Sequence, residues 1–222
     1  MTVPTRSDAG GKPTRDDTRD KRAAIIEAAR NLFAKQGYEE TTIAEIARAA
    51  GVAVGTVYLY FQNKRQILIE VSVALNTSIT TVIEAPELLT IPIRQVPRLL
   101  IGEAFRKCHQ NLSVMSLFQV NVPSPEEVSQ LQVAKERIAD ALDRYFREAI
   151  ERGLLKPFDT TSYARMLNDL VDATLQQCFA VEHGAHEELY RERLIEFIER
   201  LFFGPPIQGY EEDAREHKNE QR

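Results

Sequence analysis

The 222-residue chain predicts an all-α protein: a small amino-terminal three-helix unit followed by a larger helical body. Three observations lead there. The segment Thr41–Lys64, TTIAEIARAAGVAVGTVYLYFQNK, reads as two short helices around a glycine turn with a third helix start close behind. Apolar residues recur at the i, i+3, i+4, i+7 spacing of a helix face in segments from Ile25 to Phe202. Start signals such as Ser124-Pro125-Glu126-Glu127 and stop signals such as Gly37, Gly153 and Gly204-Pro205-Pro206 separate those segments.

Residues 1–16 contain Pro4, Gly10, Gly11 and Pro13 without apolar periodicity and predict a disordered tail. A first helix over about 18–36 sets Ile25, Ile26, Ala29, Leu32 and Phe33 on one face and stops at Gly37. Thr42 and Glu45 form a capping box, in which the hydroxyl takes the Glu45 amide and the carboxylate reaches back. The helix after this box has a narrow stripe of Ile43, Ile46, Ala47 and Ala50, and Gly51 supplies the left-handed residue that ends it. Val52 fills the turn. The next helix, about 53–61, opens with alanine, glycine and threonine, so its slim first turn can enter a major groove and approach base edges.

Asn63 with Gln66 three places on opens a long helix from Lys64 to about Glu84, and Pro86, Pro92 and Pro97 interrupt the stretch beyond it. Further helices are expected over about 96–110 and 114–119, then from Pro125 to Gly153 on a face of Val128, Leu131, Ile138, Leu142, Tyr145 and Ile150. An Asp159-Thr160 start leads to about Glu182, and a last helix runs from about His186 to Phe203. Leu194, Phe197, Ile198, Leu201 and Phe202, widened by Ile195, make a stripe broader than a terminal helix needs; either it meets a partner or it packs on its own body. The expected domains are 17–65 and 66–204, with a flexible charged tail at 205–222.

The net charge of −5 divides unevenly: residues 1–65 carry 11 Lys/Arg against 8 Asp/Glu, net +3, and residues 66–222 carry 17 against 25, net −8. The positive end suits phosphates while overall acidity limits nonspecific adhesion. Arg15, Arg19, Lys21 and Arg22 suggest an arm on the DNA backbone or in a minor groove; with Asp16, Asp17 and Asp20 interleaved, they equally suit a solvated terminus.

Cys108 and Cys178 lack CxxC spacing and read as buried free thiols. No apolar run approaches the roughly 20 residues of a bilayer span, and the first twenty residues lack a secretory signal, so a soluble, cytoplasmic protein without a membrane partner is expected. GxGxxG, P-loop, GxSxG and HExxH motifs are absent, which argues against an enzyme and against a cofactor. His183 and His186 read as an exposed turn in preference to a metal site.

Over roughly Ala23–Leu68 the sequence resembles the amino-terminal domain of TetR-family transcriptional regulators. The resemblance rests on Phe33, Gly37, Tyr38, Thr41-Thr42-Ile43, Ile46-Ala47, Ala50-Gly51-Val52, Gly55-Thr56-Val57-Tyr58, Tyr60-Phe61, Lys64 and Leu68. The departures are Ala53 and Val54, where the family often has a hydroxyl and a basic or polar residue; they bear on base preference and not on fold. The resemblance implies a homodimeric, ligand-responsive repressor on a pseudo-palindromic double-stranded DNA operator. Ala53, Val54, Gly55 and Thr56 would read bases, Tyr58 and Tyr60 would touch phosphate or sugar, and Thr42 and Lys64 would anchor phosphates at helix starts. The last two helices would form half of a four-helix dimer interface through Leu194, Ile195, Ile198 and Phe202.

A small amphipathic or hydrophobic effector among the middle helices would favour a dimer shape with wrongly spaced reading heads. Phe105, His109, Met115, Phe118, Tyr145, Met166, Asp169 and Gln176 mix aromatic surface with a few polar groups and are the candidate lining. A small-molecule-binding enzyme, or a helical adaptor that has lost DNA binding, is the alternative. The enzyme would show Asp169 or Asp172 within reach of a histidine.

Overall fold

The computed structural model describes residues 15–112, 114, 115 and 124–204. Expectations for the first fourteen residues, for Phe118 and for 205–222 lie outside the described residues. The described residues contain helices and no strand, and fall into two compact units, one reaching Val71 and the other starting at Ser72.

The first unit contains α1 (Arg15–Gln36), α2 (Ile43–Ala49), α3 (Val54–Tyr60) and the start of α4 (Lys64–Ile83). Its core is Ile25, Ala29, Phe33, Ile46, Val57, Phe61 and Ile67; the first four lie on the faces that the helical spacing selected. Helix α1 begins three residues earlier than expected, at Arg15, so Arg19, Lys21 and Arg22 ride on a helix and form no extended arm. Arg22 is engaged within the unit, 2.6 Å from the Glu70 carboxylate and 5.5 Å above the Phe61 ring.

The second unit holds the rest of α4, two 3-10 turns (Pro86–Leu89 and Ile93–Gln95), α5 (Val96–Gln110), α6 (Pro125–Glu151), α7 (Thr160–Leu175) and α8 (Glu187–Phe203). The prolines start these pieces more than they break them: Pro86 and Pro97 stand in first turns, where the missing N–H has no helical partner to lose. Ser124 caps α6, accepting from the Glu127 amide at 3.3 Å while the Glu127 carboxylate accepts from the Ser124 amide at 2.7 Å. The helix expected to reach Glu182 ends its α form at Leu175 and continues as a π-helical turn, Gln176–Val181, which buries Cys178, Phe179 and Ala180 in succession. Glu182 ties that turn to α8. Its carboxylate accepts from Tyr190 Oη (2.7 Å), Gln177 Nε2 (2.9 Å) and His186 Nδ1 (2.8 Å), which pulls its pKa down to about 2.

Two apolar clusters fill this unit. Phe105, Cys108, Phe179, Leu194, Ile195 and Ile198 form one, and Ile83, Ile138, Leu142, Tyr145, Phe146 and Ala164 form the other. Ile79, Leu167 and Phe202 pack against both. Cys108 and Cys178 are free, buried thiols, with burial raising their pKa values to about 12 and about 11.

Two expectations are corrected by this packing. Leu194, Ile195 and Ile198 are spent in the chain's own core and Phe202 is half-buried against it, so they are not an exposed interface. The breadth of the stripe comes from two clusters sharing one helix. Also, α4 has the length and apolarity of a bilayer span, with 20 residues and a mean hydropathy of 1.4. Much of that apolarity is used inside the units, by Ile67, Leu68, Ile69 and Val71 in the first and Ile83 in the second.

Candidate nucleic-acid interface and ligand channel

The helix pair is held by its caps and its turn. Thr42 Oγ1 accepts from the Glu45 amide at 3.2 Å, and Glu45 Oε2 accepts from the Thr42 amide at 2.9 Å and from its hydroxyl at 2.8 Å. These bonds, the backbone one first, hold the Glu45 carboxyl below its ordinary range. Both Thr42 donors are therefore occupied by a carboxylate, which corrects its assignment as a phosphate anchor. Thr42→Ala should cost about 1 kcal/mol of stability, the usual worth of such a cap, read as a lower Tm. An unchanged Tm with a lower salt slope of DNA binding would restore the anchor role.

Gly51 at φ +68° provides the left-handed residue, and the Val52 amide closes the turn on the Ala47 carbonyl at 3.0 Å. The axes of α2 and α3 consequently bend by 101°, within the range of DNA-reading helix pairs. On α3, Val57 is fully buried and fixes the rotation of the helix. At 100° per residue, Gly55 and Leu59 then point away from the core, flanked by Thr56 and Tyr58. Leu59 is 83% exposed, Tyr58 54% and Val54 42%, while Tyr60 is half-buried. The reading of the sequence missed Leu59; its position two residues after the buried Val57, nearly opposite on the helical wheel, was the available signal. No charged residue lies on α3.

Lys64 is the second correction. Its ammonium donates to the carbonyls of Tyr38 (2.7 Å), Glu39 (3.1 Å) and Thr41 (2.9 Å) and lies 4.2 Å from the Tyr38 ring centroid. Three donors meet three acceptors, so the side chain clamps the α1–α2 turn and leaves no N–H for a phosphate. Arg48, exposed in the last turn of α2, is a cation on the motif that was not among the candidates.

The second unit contains a narrow apolar channel with Ile79, Ile101, Leu142, Tyr145, Val171 and Ile198 in its wall. A mixed cavity includes Asn76, Met115, Lys135, Asp172 and Gln176, and a polar groove lies between α6 and α7. The candidate lining is scattered among them. Tyr145 is in the channel, Met115 and Gln176 in the mixed cavity and Asp169 in the groove. Three candidates are corrected: Phe105 is core, 5.7 Å from the Phe179 ring; His109 is exposed and 2.6 Å from Glu187; Met166 is 69% exposed on the outer side of α7.

The carboxylates singled out for an enzyme do not meet a histidine in the bonds formed among the described residues. Asp172 pairs with Lys135 at 2.6 Å, while His109 and His186 pair with Glu187 and Glu182. Among the described residues no three metal-ligating side chains converge. The exposed apolar residues of the last two helices form their own pattern: Tyr163, Met166 and Leu170 on α7, and Leu189, Phe197 and Leu201 on α8. Each set recurs at three- to four-residue multiples and borders its helix's buried face, with the Tyr163 ring 4.9 Å from the Phe158 ring.

Comparison with known proteins places these features. Residues 25–71 match the sequence model of the bacterial regulatory proteins of the tetR family. The fatty acid metabolism regulator protein of Bacillus subtilis is 28% identical over 166 residues, which cover 71% of this chain and 82% of that protein. A solved TetR-family regulator from Syntrophomonas wolfei superposes with a TM-score of 0.66 at 20% identity, over 86% of this chain and 99% of that one. The transcriptional regulator FadR from Bacillus subtilis, solved in complex with stearoyl-CoA, superposes with a TM-score of 0.56 at 22% identity, over 83% and 99%.

Proposed function

We propose that this chain, which belongs to the TetR family of bacterial regulatory proteins, is a cytoplasmic homodimeric repressor that a small amphipathic molecule releases from its operator. The observation that carries the reading is the uncharged outward face of α3, Gly55 and Leu59 between Thr56 and Tyr58, on the second helix of a capped, glycine-turned pair. Such a face approaches base edges, while phosphate charge is met from flanking positions such as Arg48. Selection from random duplexes should yield a pseudo-palindrome with half-sites about one helical turn apart, bound with an affinity that falls steeply with salt. Duplex binding that ignores salt would favour the adaptor reading.

Base preference derives from the same face. Val54 and Leu59 can touch a thymine methyl but can neither donate nor accept a hydrogen bond. A selected operator should carry thymine opposite Val54 in each half-site, and uracil there should weaken binding by up to about 1 kcal/mol, one buried methyl group. Equal affinity for thymine and uracil at every half-site position would return Val54 to a packing role.

The homodimer uses the outward stripes of α7 and α8, because a two-fold axis lets the same apolar patch cover itself. The effector lies in the apolar channel and presents an aliphatic chain; the stearoyl-CoA in the related FadR structure supports that class. Helix α4 links ligand to DNA: Ile79 and Ile83 are in the channel wall, and the same helix begins at Lys64 in the DNA-reading unit. An effector that prefers one setting of α4 changes DNA affinity by the difference in its affinity for the two settings.

A further inference from the structure

A ligand that fills the apolar channel must match its wall. Among the described residues Tyr145 and Asn168 are its only polar lining residues, and no charged side chain lines it. A carboxylate drawn inside would lose its hydration with no counter-charge in return, which costs more than a hydrogen bond restores. Tyr145 is only 6% exposed, and its hydroxyl has no hydrogen-bond partner among the described residues. Burial pushes its pKa up to about 12, so at neutral pH it stays a donor. A neutral acceptor satisfies it.

The polar groove supplies the second constraint. Asn168 lines both the channel and the groove, which places its side chain where a molecule with its chain in the first would turn its head toward the second. In the groove wall Lys135 and Arg165 stand against Glu136, Asp140 and Asp169, and Lys135 is already 2.6 Å from Asp172. Carboxylates outnumber cations there. A head bearing phosphate or carboxylate is repelled, whereas hydroxyl groups can exchange hydrogen bonds with amides and carboxylates alike.

We propose that channel and groove together take a neutral acyl ester or amide, with the aliphatic chain in the channel, the carbonyl oxygen accepting from the Tyr145 hydroxyl, and an uncharged hydroxyl-bearing head beside Asn168. The proposal rests on the effector reading above and adds the chemistry of the head. It sets a coenzyme A thioester and a free fatty acid aside, since both bring negative charge to a groove where three carboxylates stand against two cations, one of them already paired with Asp172.

The test is calorimetric titration of the full chain with four probes below their micelle concentrations: monodecanoylglycerol, its decyl ether analogue, decanoate and decanoyl-CoA. The glycerol ester should bind about tenfold more tightly than either anion and about fivefold more tightly than the ether, the worth of one neutral hydrogen bond. Tyr145→Phe should abolish the gap between ester and ether, leave the ether's affinity unchanged, and keep or raise the Tm of the free protein, because an unpartnered buried hydroxyl is lost. Tighter binding of decanoate or decanoyl-CoA overturns the neutral head while an aliphatic effector stands. A gap between ester and ether that survives Tyr145→Phe overturns the role of Tyr145. No binding of any probe overturns the effector reading itself.

Discussion

Ile198→Glu should unfold the second unit, whereas Phe197→Glu should leave it folded and break the dimer. The two residues are neighbours in sequence on α8, but Ile198 is 3% exposed in the cluster with Phe105, Phe179 and Leu194, while Phe197 is 54% exposed on the outer stripe. Replacing a buried isoleucine forfeits about 2–3 kcal/mol of apolar burial. The incoming carboxyl must also be buried charged or protonated against its preference, which adds at least about 2 kcal/mol. That sum rivals the whole stability of a typical domain, about 5–15 kcal/mol. At Phe197 the same carboxylate stays in water in the monomer and is buried only when two copies meet. Circular dichroism with light scattering separates the cases. A folded, monomeric Ile198→Glu protein would mean that the inner stripe is the interface after all.

Lys64→Met should lower stability by about 3 kcal/mol, since hydrogen bonds from a charged donor are worth about 1.5–3 kcal/mol each when buried and less when part-exposed. Three are lost at once, to Tyr38, Glu39 and Thr41, together with the contact to the Tyr38 ring. Methionine keeps the stem but leaves the turn carbonyls unpaired. An arginine would not rescue the site, because a planar fork cannot meet three carbonyls gathered around one nitrogen. DNA affinity should fall for every sequence alike, as the fraction of folded reading unit falls, with the salt slope unchanged. A salt slope lower by about one at constant Tm would instead identify a phosphate contact.

Much of the first unit was legible in the sequence because its signals are local. The Thr42/Glu45 cap and the left-handed Gly51 each involve residues within a few positions of one another, and both stand as expected. Start signals at Ser124 and Asp159 located α6 and α7 for the same reason. The end of α7 was less legible: the change to a π-helical turn at Gln176 accommodates Cys178, Phe179 and Ala180 in a core assembled from α5 and α8. No local pattern announces that.

Residue chemistry and spacing by themselves therefore determined an all-α chain, its helix starts and the reading motif near its amino end. Only the tertiary structure decided which side of each helix is spent inward. It took Ile198 for the core and left Phe197 outside, engaged the Lys64 ammonium with carbonyls 23 to 26 residues away, placed Met166 on the surface, and put Tyr145 in the channel wall. The physical reason is that helical periodicity reports which residues share a face, whereas the fate of a face depends on partners distant in sequence, and two apolar faces on one helix look alike until one of them is covered.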